Sequence, residues 1–253
     1  MIQNRLIPVL LLKGEGLVKT VKFKKPVYVG DPINAVKIFN DKEVDELVFL
    51  DIMASKERRG PNFKRLQSIS TECFMPLGYG GGITKIEEIE RIFQIGIEKV
   101  ILNHSALESP QLIKDAVTLS GSQSVVGSVD YSIGLIGGRK LYDHVSGKAM
   151  KQNLMDHINR MVEAGIGELM LNCVNRDGMR NGYDVEFINE VAAQISIPVI
   201  GAGGAGSVED IKSLLKDGHV SAAAAGSMFV FHGPHKAVLI NYPNQEKIKN
   251  IFS

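Results

Sequence analysis

Eight short apolar runs rich in β-branched and other strand-favouring residues recur along the chain, at residues 6–11, 47–52, 74–79, 99–103, 124–130, 168–173, 197–201 and 221–225. Between them lie longer stretches in which apolar positions return every three to four residues, as in 86–93. The first pattern predicts strands and the second helices. Their alternation predicts a parallel sheet covered by helices, and eight such units close into a (β/α)8 TIM barrel.

The two halves of the pattern superimpose. At an offset of 122 residues Pro76 matches Pro198, Gly81-Gly82 matches Gly203-Gly204, Gly96 matches Gly218, Ser105 matches Ser227, and Glu46-Leu47 matches Glu168-Leu169. One shift preserved over several separate motifs predicts two half-barrels of four units each. What one half binds at its strand ends, the other should bind across the pseudo-twofold axis.

Length and composition fit this frame. With 253 residues and 44% hydrophobic content, the chain suits one barrel over 1–253. The 29 basic and 28 acidic residues balance, which gives no nucleic-acid footprint. Residues 6–12 contain Pro8 and lack a cleavage site, so neither a secretion signal nor a membrane span is expected. Cys73 and Cys173 show no metal-ligand spacing. They read as core thiols of a cytoplasmic protein without metal or cofactor.

The candidate chemistry sits at the C-terminal strand ends, where barrel enzymes carry their sites. Gly81 and Gly82 lead into one helix, and Gly203 and Gly204 into another that begins near Ser207. Such glycines let the backbone approach an anion at a helix N-terminus, although glycine-rich turns also arise for steric reasons alone. The following strands end in Asn103-His104-Ser105 and Gly226-Ser227, which add amide, hydroxyl and backbone donors. Asp177-Gly178 supplies either a turn or a further polar contact. Two facing phosphate sites imply a phosphorylated sugar ligand with two similar ends. His104 reads first as a satisfied loop histidine, with a direct ligand role as the alternative. The segment 13–30 reads as a long loop with five lysines, Lys13, Lys19, Lys22, Lys24 and Lys25, suited to a lid over a phosphorylated ligand.

The strings Asp45-Glu-Leu-Val-Phe-Leu-Asp51, Gly80-Gly-Gly-Ile83, Asn175-Arg-Asp-Gly178, Gly182-Tyr-Asp184 and Gly203-Gly-Ala-Gly206 resemble HisF. HisF is the ammonia-using subunit of imidazole glycerol phosphate synthase, and the resemblance runs from Arg5 to about Phe231. It implies a HisH-like glutaminase partner whose ammonia crosses the barrel to a phosphoribulosyl aminoimidazole carboxamide substrate with two phosphates. It also implies a gate of four charged residues at the barrel's bottom, here Arg5, Glu46, Lys99 and Glu168, and catalytic roles for Asp130 and Lys19. Read without the resemblance, the four charges would simply meet solvent at strand starts. They and the Asp45–Asp51 string favour HisF over the related sugar-phosphate isomerase HisA.

Two departures stand out. The family's second catalytic aspartate, at the end of strand one, is replaced by Leu11. A leucine transfers no proton, so ring closure should be severely impaired unless Lys13 or Glu15 substitutes. Residues 232–243 carry two prolines and a strand-like apolar run where the family places a regular eighth helix. Together these features resemble the HisF-like branch linked to acetamidino modification of bacterial surface sugars, which implies a sugar amidotransferase as ammonia acceptor. The alternative is an active cyclase that forms imidazole glycerol phosphate and AICAR for histidine biosynthesis.

Overall fold

The computed structural model describes residues 4–216, 219–233, 235, 237–244, 248 and 251–252. Eight parallel strands form the barrel: Arg5–Lys13, Leu47–Asp51, Leu77–Gly80, Lys99–Leu102, Val125–Ile133, Glu168–Cys173, Val199–Ala202 and Ala222–Ala225. Each pairs with its neighbours in sequence order, and Arg5 opposite Ala222 joins the first strand to the eighth. All eight expected strands are present. The third starts later than its apolar run suggested, because Phe74 stays outside it and exposed.

Side-chain parity sorts the strands into two cores. Ile7, Val48, Ile101, Val126, Met170 and Ile200 fill the lumen with Ala222 and Ala224. Their sequence neighbours, such as Leu6, Leu47, Val100 and Leu169, face outward under the helices. Arg5 and Leu11 share the lumen parity, as their six-residue separation requires.

The halves repeat in their bonds as well as their letters. Leu47 N donates to Pro76 O at 2.9 Å, and Leu169 N donates to Pro198 O at 3.0 Å. Gly218, the expected counterpart of Gly96, lies outside the described residues.

Two regions depart from the sequence expectation. Segment 13–30 is a β-hairpin of strands Gly16–Val21 and Lys24–Gly30, folded back on strand one, rather than an irregular loop. A second extension, Arg139–Asp143 with Lys148–Ala149, prolongs strand five beyond the barrel. At the C-terminal side the single-turn helix Ser227–Val230 gives way to a two-residue ladder, Phe231–His232 with Ala237–Val238. The chain then buries Tyr242, whose hydroxyl donates to Leu6 O at 3.0 Å.

Candidate functional site

The two glycine pairs are fixed by packing. Gly81 has φ +125° and Gly203 φ +83°, a region that favours glycine, and a Cβ on either would press on the backbone of the preceding strand's end. The residues it would meet, Asp51 and Cys173, are again 122 apart. Each pair leads into a helix, Ile86–Gln94 or Val208–Leu215, with an acidic residue in its first turn. Glu88 accepts from Thr84 N (2.8 Å) and Lys85 N (3.0 Å), and Asp210 accepts from Gly206 N (2.9 Å) and Ser207 N (3.0 Å). These carboxylates occupy the N–H groups that lead into the helices. An anion would therefore meet the glycines and the Ser105 and Ser227 turns rather than the residues just before the longer helices.

These elements surround a cavity of about 160 Å³ at the C-terminal strand ends. It is lined by Lys19, Gly81, Gly82, Asn103, His104, Ser105, Asp130, Asp177, Gly178, Gly203, Gly204, Gly226 and Ser227. Leu11 lines it too. Neither expected substitute for the strand-one carboxylate reaches it. Lys13 is exposed at the strand end, and Glu15 points to solvent and pairs with Arg65 at 3.3 Å. The reason is geometric: strand one ends at Lys13 and turns at Gly14-Glu15 into its hairpin, which leaves both side chains at the turn and outside the cavity.

Asp130 is buried and held from both sides. Asn103 Nδ2 donates to Oδ2 at 2.8 Å, and Asn172 Nδ2 donates to Oδ1 at 3.2 Å. Lys19 is also buried, and its Nζ donates to Val9 O at 2.6 Å. Burial lowers its pKa to about 8 against the pull of Asp177. Gly226 has no Cβ where that ammonium sits. Burial also raises Asp177, whose carboxylate accepts from Phe23 N (3.0 Å) and Thr20 Oγ1 (2.7 Å) and so ties the first hairpin to the cavity. Lys22, Lys24 and Lys25 are exposed. His104 lines the cavity while its Nδ1 lies 3.0 Å from Asp143 Oδ1.

Asn172, Ser55, Lys56 and His144 also line the cavity but were not singled out in the sequence. The strand register carries a signal for Asn172, since it pairs directly with Asp130. His144 arrives on the strand-five hairpin, which the apolar pattern did not reveal.

At the opposite end the four charged residues form a closed ring. Arg5 reaches Glu46 at 2.6 Å and Glu168 at 3.0 Å, and Lys99 reaches the same carboxylates at 2.9 and 3.2 Å. Glu46 is 4% exposed in its side chain and the other three are 14–20% exposed, so the ring is largely withdrawn from water. Next to it a surface hollow of about 900 Å³ is bordered by Phe93, Glu98, Leu119 and Gln123.

No helix among the described residues is long and apolar enough to cross a membrane. Among the same residues, no group of three or more His, Cys, Asp and Glu side chains is placed to hold a metal ion.

A parallel barrel with paired glycine turns around one polar cavity defines the class, and residues 5–235 match the family described as "Histidine biosynthesis protein". The chain belongs to that family, among its HisF-like members. It is 49% identical over 248 residues to "Putative imidazole glycerol phosphate synthase subunit hisF2" of Pseudomonas aeruginosa, covering 98% of this chain and 99% of that one. A similarly named HisF protein of Leptospira interrogans is 43% identical over the full length of both chains. The imidazole glycerol phosphate synthase subunit HisF of Alkaliphilus metalliredigens is 38% identical over 92% of each.

Proposed function

We propose that this chain is the barrel subunit of a glutamine amidotransferase complex. In this reading it takes ammonia from a HisH-like glutaminase docked on the charged-ring face and passes it to a sugar amidotransferase of surface polysaccharide formation. The observation that carries the reading is the closed ring of Arg5, Glu46, Lys99 and Glu168 at the lumen's end. Such a ring costs desolvation that solvent-facing charges would avoid. It also separates the glutaminase face from an apolar lumen that neutral ammonia crosses more easily than a charged ammonium ion. The hollow beside it offers the partner apolar and polar contacts. At the far end the paired glycine turns, with Asn103, Ser105 and Ser227, hold a doubly phosphorylated sugar. Leu11 in the cavity weighs against efficient ring closure.

A second reading, an active cyclase of histidine biosynthesis, draws on the intact setting of Asp130 and Lys19 in the same cavity. One assay separates the two: the purified chain is given free ammonium and the phosphoribulosyl aminoimidazole carboxamide substrate, and imidazole formation is followed at alkaline pH. Ring closure at the rate of an ordinary cyclase would overturn the first reading. Leu11→Asp should then raise a slow rate. For the gate, Lys99→Ala should impair use of glutamine-derived ammonia more than use of external ammonium, and equal effects would argue against a channel.

A further inference from the structure

One imidazole in the cavity belongs to neither the repeat nor the phosphate sites. His144 stands on the turn between Arg139–Asp143 and Lys148–Ala149, and its side chain lines the cavity. Its Nδ1 is buried, makes no hydrogen bond, and lies 3.3 Å from Asp130 Oδ2. The partner is fixed, since Asn103 and Asn172 hold both carboxylate oxygens of Asp130.

The turn is fixed as well. Asp143 Oδ1 accepts from Val145 N at 3.0 Å, and its Oδ2 accepts from Ser146 N at 2.9 Å. His104 braces the same carboxylate, and its ring packs edge-on to His144 with centroids 6.0 Å apart. The charged and titratable groups facing this turn include Asp130 across the cavity, Asp143 and Tyr142 on its own hairpin, and His104. A buried nitrogen left unpaired beside a carboxylate, on a turn pinned from both sides, is placed for proton transfer rather than for packing.

We propose that His144 is a catalytic residue, paired with Asp130 as the acid–base couple of this cavity. The proposal rests on the part of that reading in which ammonia reaches this cavity and a phosphorylated sugar is held in it, and it places a first C–N bond in this chain ahead of any transfer to a sugar amidotransferase. Both members lie on strand five and its hairpin, so the couple serves one carbon centre rather than two opposed ones. At a sugar carbonyl, the ammonia lone pair forms the C–N bond, and the C=O π pair moves to oxygen, which takes the imidazolium proton of His144. The surplus N–H proton passes to Asp130, which hands it on to His144 across the 3.3 Å contact. The hydroxyl then takes that proton and leaves as water, and the nitrogen lone pair closes the iminium. Charge and atoms balance without an oxidant. Ring closure, with proton transfers at a second centre, is the part that Leu11 removes.

The test uses the full chain with ammonium chloride, the phosphoribulosyl aminoimidazole carboxamide substrate and cyanoborohydride, which traps the iminium as an amine read by mass spectrometry. His144→Gln should slow trapping by about 100-fold at saturating substrate, with KM changed less than about twofold. Asp130→Asn should cost a similar factor, and the double variant little more, because the pair acts as a unit. His144→Asn checks the result with a different side chain, and unchanged thermal midpoints exclude a folding effect. Trapping by His144→Gln within twofold of the parent would overturn the proposal. Parent trapping no faster than the protein-free mixture would do the same. Glutamine-driven ammonia delivery with a glutaminase subunit is measured in parallel. Its failure alongside normal, His144-dependent trapping would overturn the amidotransferase reading and leave the couple standing.

Discussion

The two half-barrels agree closely at the glycine turns and disagree at the chemistry. Gly81 and Gly203 meet the preceding strand's end in the same way, and Glu88 and Asp210 cap the following helices in the same way. At the ends of strands one and five the halves part: Leu11 faces the cavity in one, while Asp130, with His144 beside it, faces it in the other. On the proposed reading, the difference teaches that holding a ligand with two like ends constrains both halves equally. Acting on it does not, because the reacting atoms of such a ligand need not be symmetric.

The strongest way to break the symmetric part is to fill its turns. Gly204→Val and Gly82→Val place a side chain at φ +115° and +70° and against the carbonyls of Gly182 and Arg59. Each should cost about 4 kcal/mol of stability in denaturant titrations, from backbone strain and overpacking together. A large difference between the two would mean that the halves are not equivalent.

A smaller effect is expected at the ring, where the two carboxylates differ in exposure. Glu46→Ala leaves Arg5 and Lys99 sharing Glu168, and should destabilise the fold by about 3 kcal/mol. Glu168→Ala should cost less, because its surroundings admit more water.

The third test sharpens the contrast between halves. Where the first half buries Ala35 in its helix, the second buries His157, whose pKa burial lowers to about 4, with Arg160 adding to the effect. The unfolded chain takes up this proton near the ordinary imidazole value and the folded chain only near 4. Stability should therefore fall as pH drops from about 6.5 to 4, by about 2–3 kcal/mol from this group. His157→Leu should flatten that part of the urea midpoint's pH profile, and an unchanged slope would remove His157 from the account.

The smallest effect is expected on ligand binding at Lys19. Its pKa of about 8 lies below the unfolded value, so the folded chain releases the proton first and stability gains from pH 8 toward 10.5. Binding of a sugar bisphosphate should weaken over the start of that range as the ammonium is lost, by about 1 kcal/mol in calorimetry. Lys19→Met should bind more weakly and lose this pH dependence.

Much of this was legible in the sequence, for definable reasons. Strand order, lumen parity and the glycine turns follow from short-range periodicity and one repeated offset, both of which local sequence encodes. Phe74 was misplaced because an apolar residue beside a strand looks like one within it. The hairpin at 16–30 reads as a loop in the sequence because its lysines interrupt the apolar pattern and its outer strand, from Lys24, is mostly exposed. His144 stayed hidden for the same reason: it depends on how far strand five extends beyond the barrel, which nothing in its immediate neighbours states. The failure of Lys13 and Glu15 to reach the cavity likewise depends on where strand one turns, a tertiary fact.

The hydroxyl of Tyr242 grips the carbonyl of Leu6 across 236 positions of sequence, and strand one waits for strand eight to pair with it. Synthesis at about 5–20 residues per second therefore leaves the first strand's outer edge open on the order of 10–50 s. For most of that interval Arg5 has only Glu46, because Glu168 is made with strand six, and there is no closed cylinder around the pair. The ring stands at the mouth of a closed barrel only when the tail of the chain arrives, so an incomplete product of translation cannot present the finished charged face.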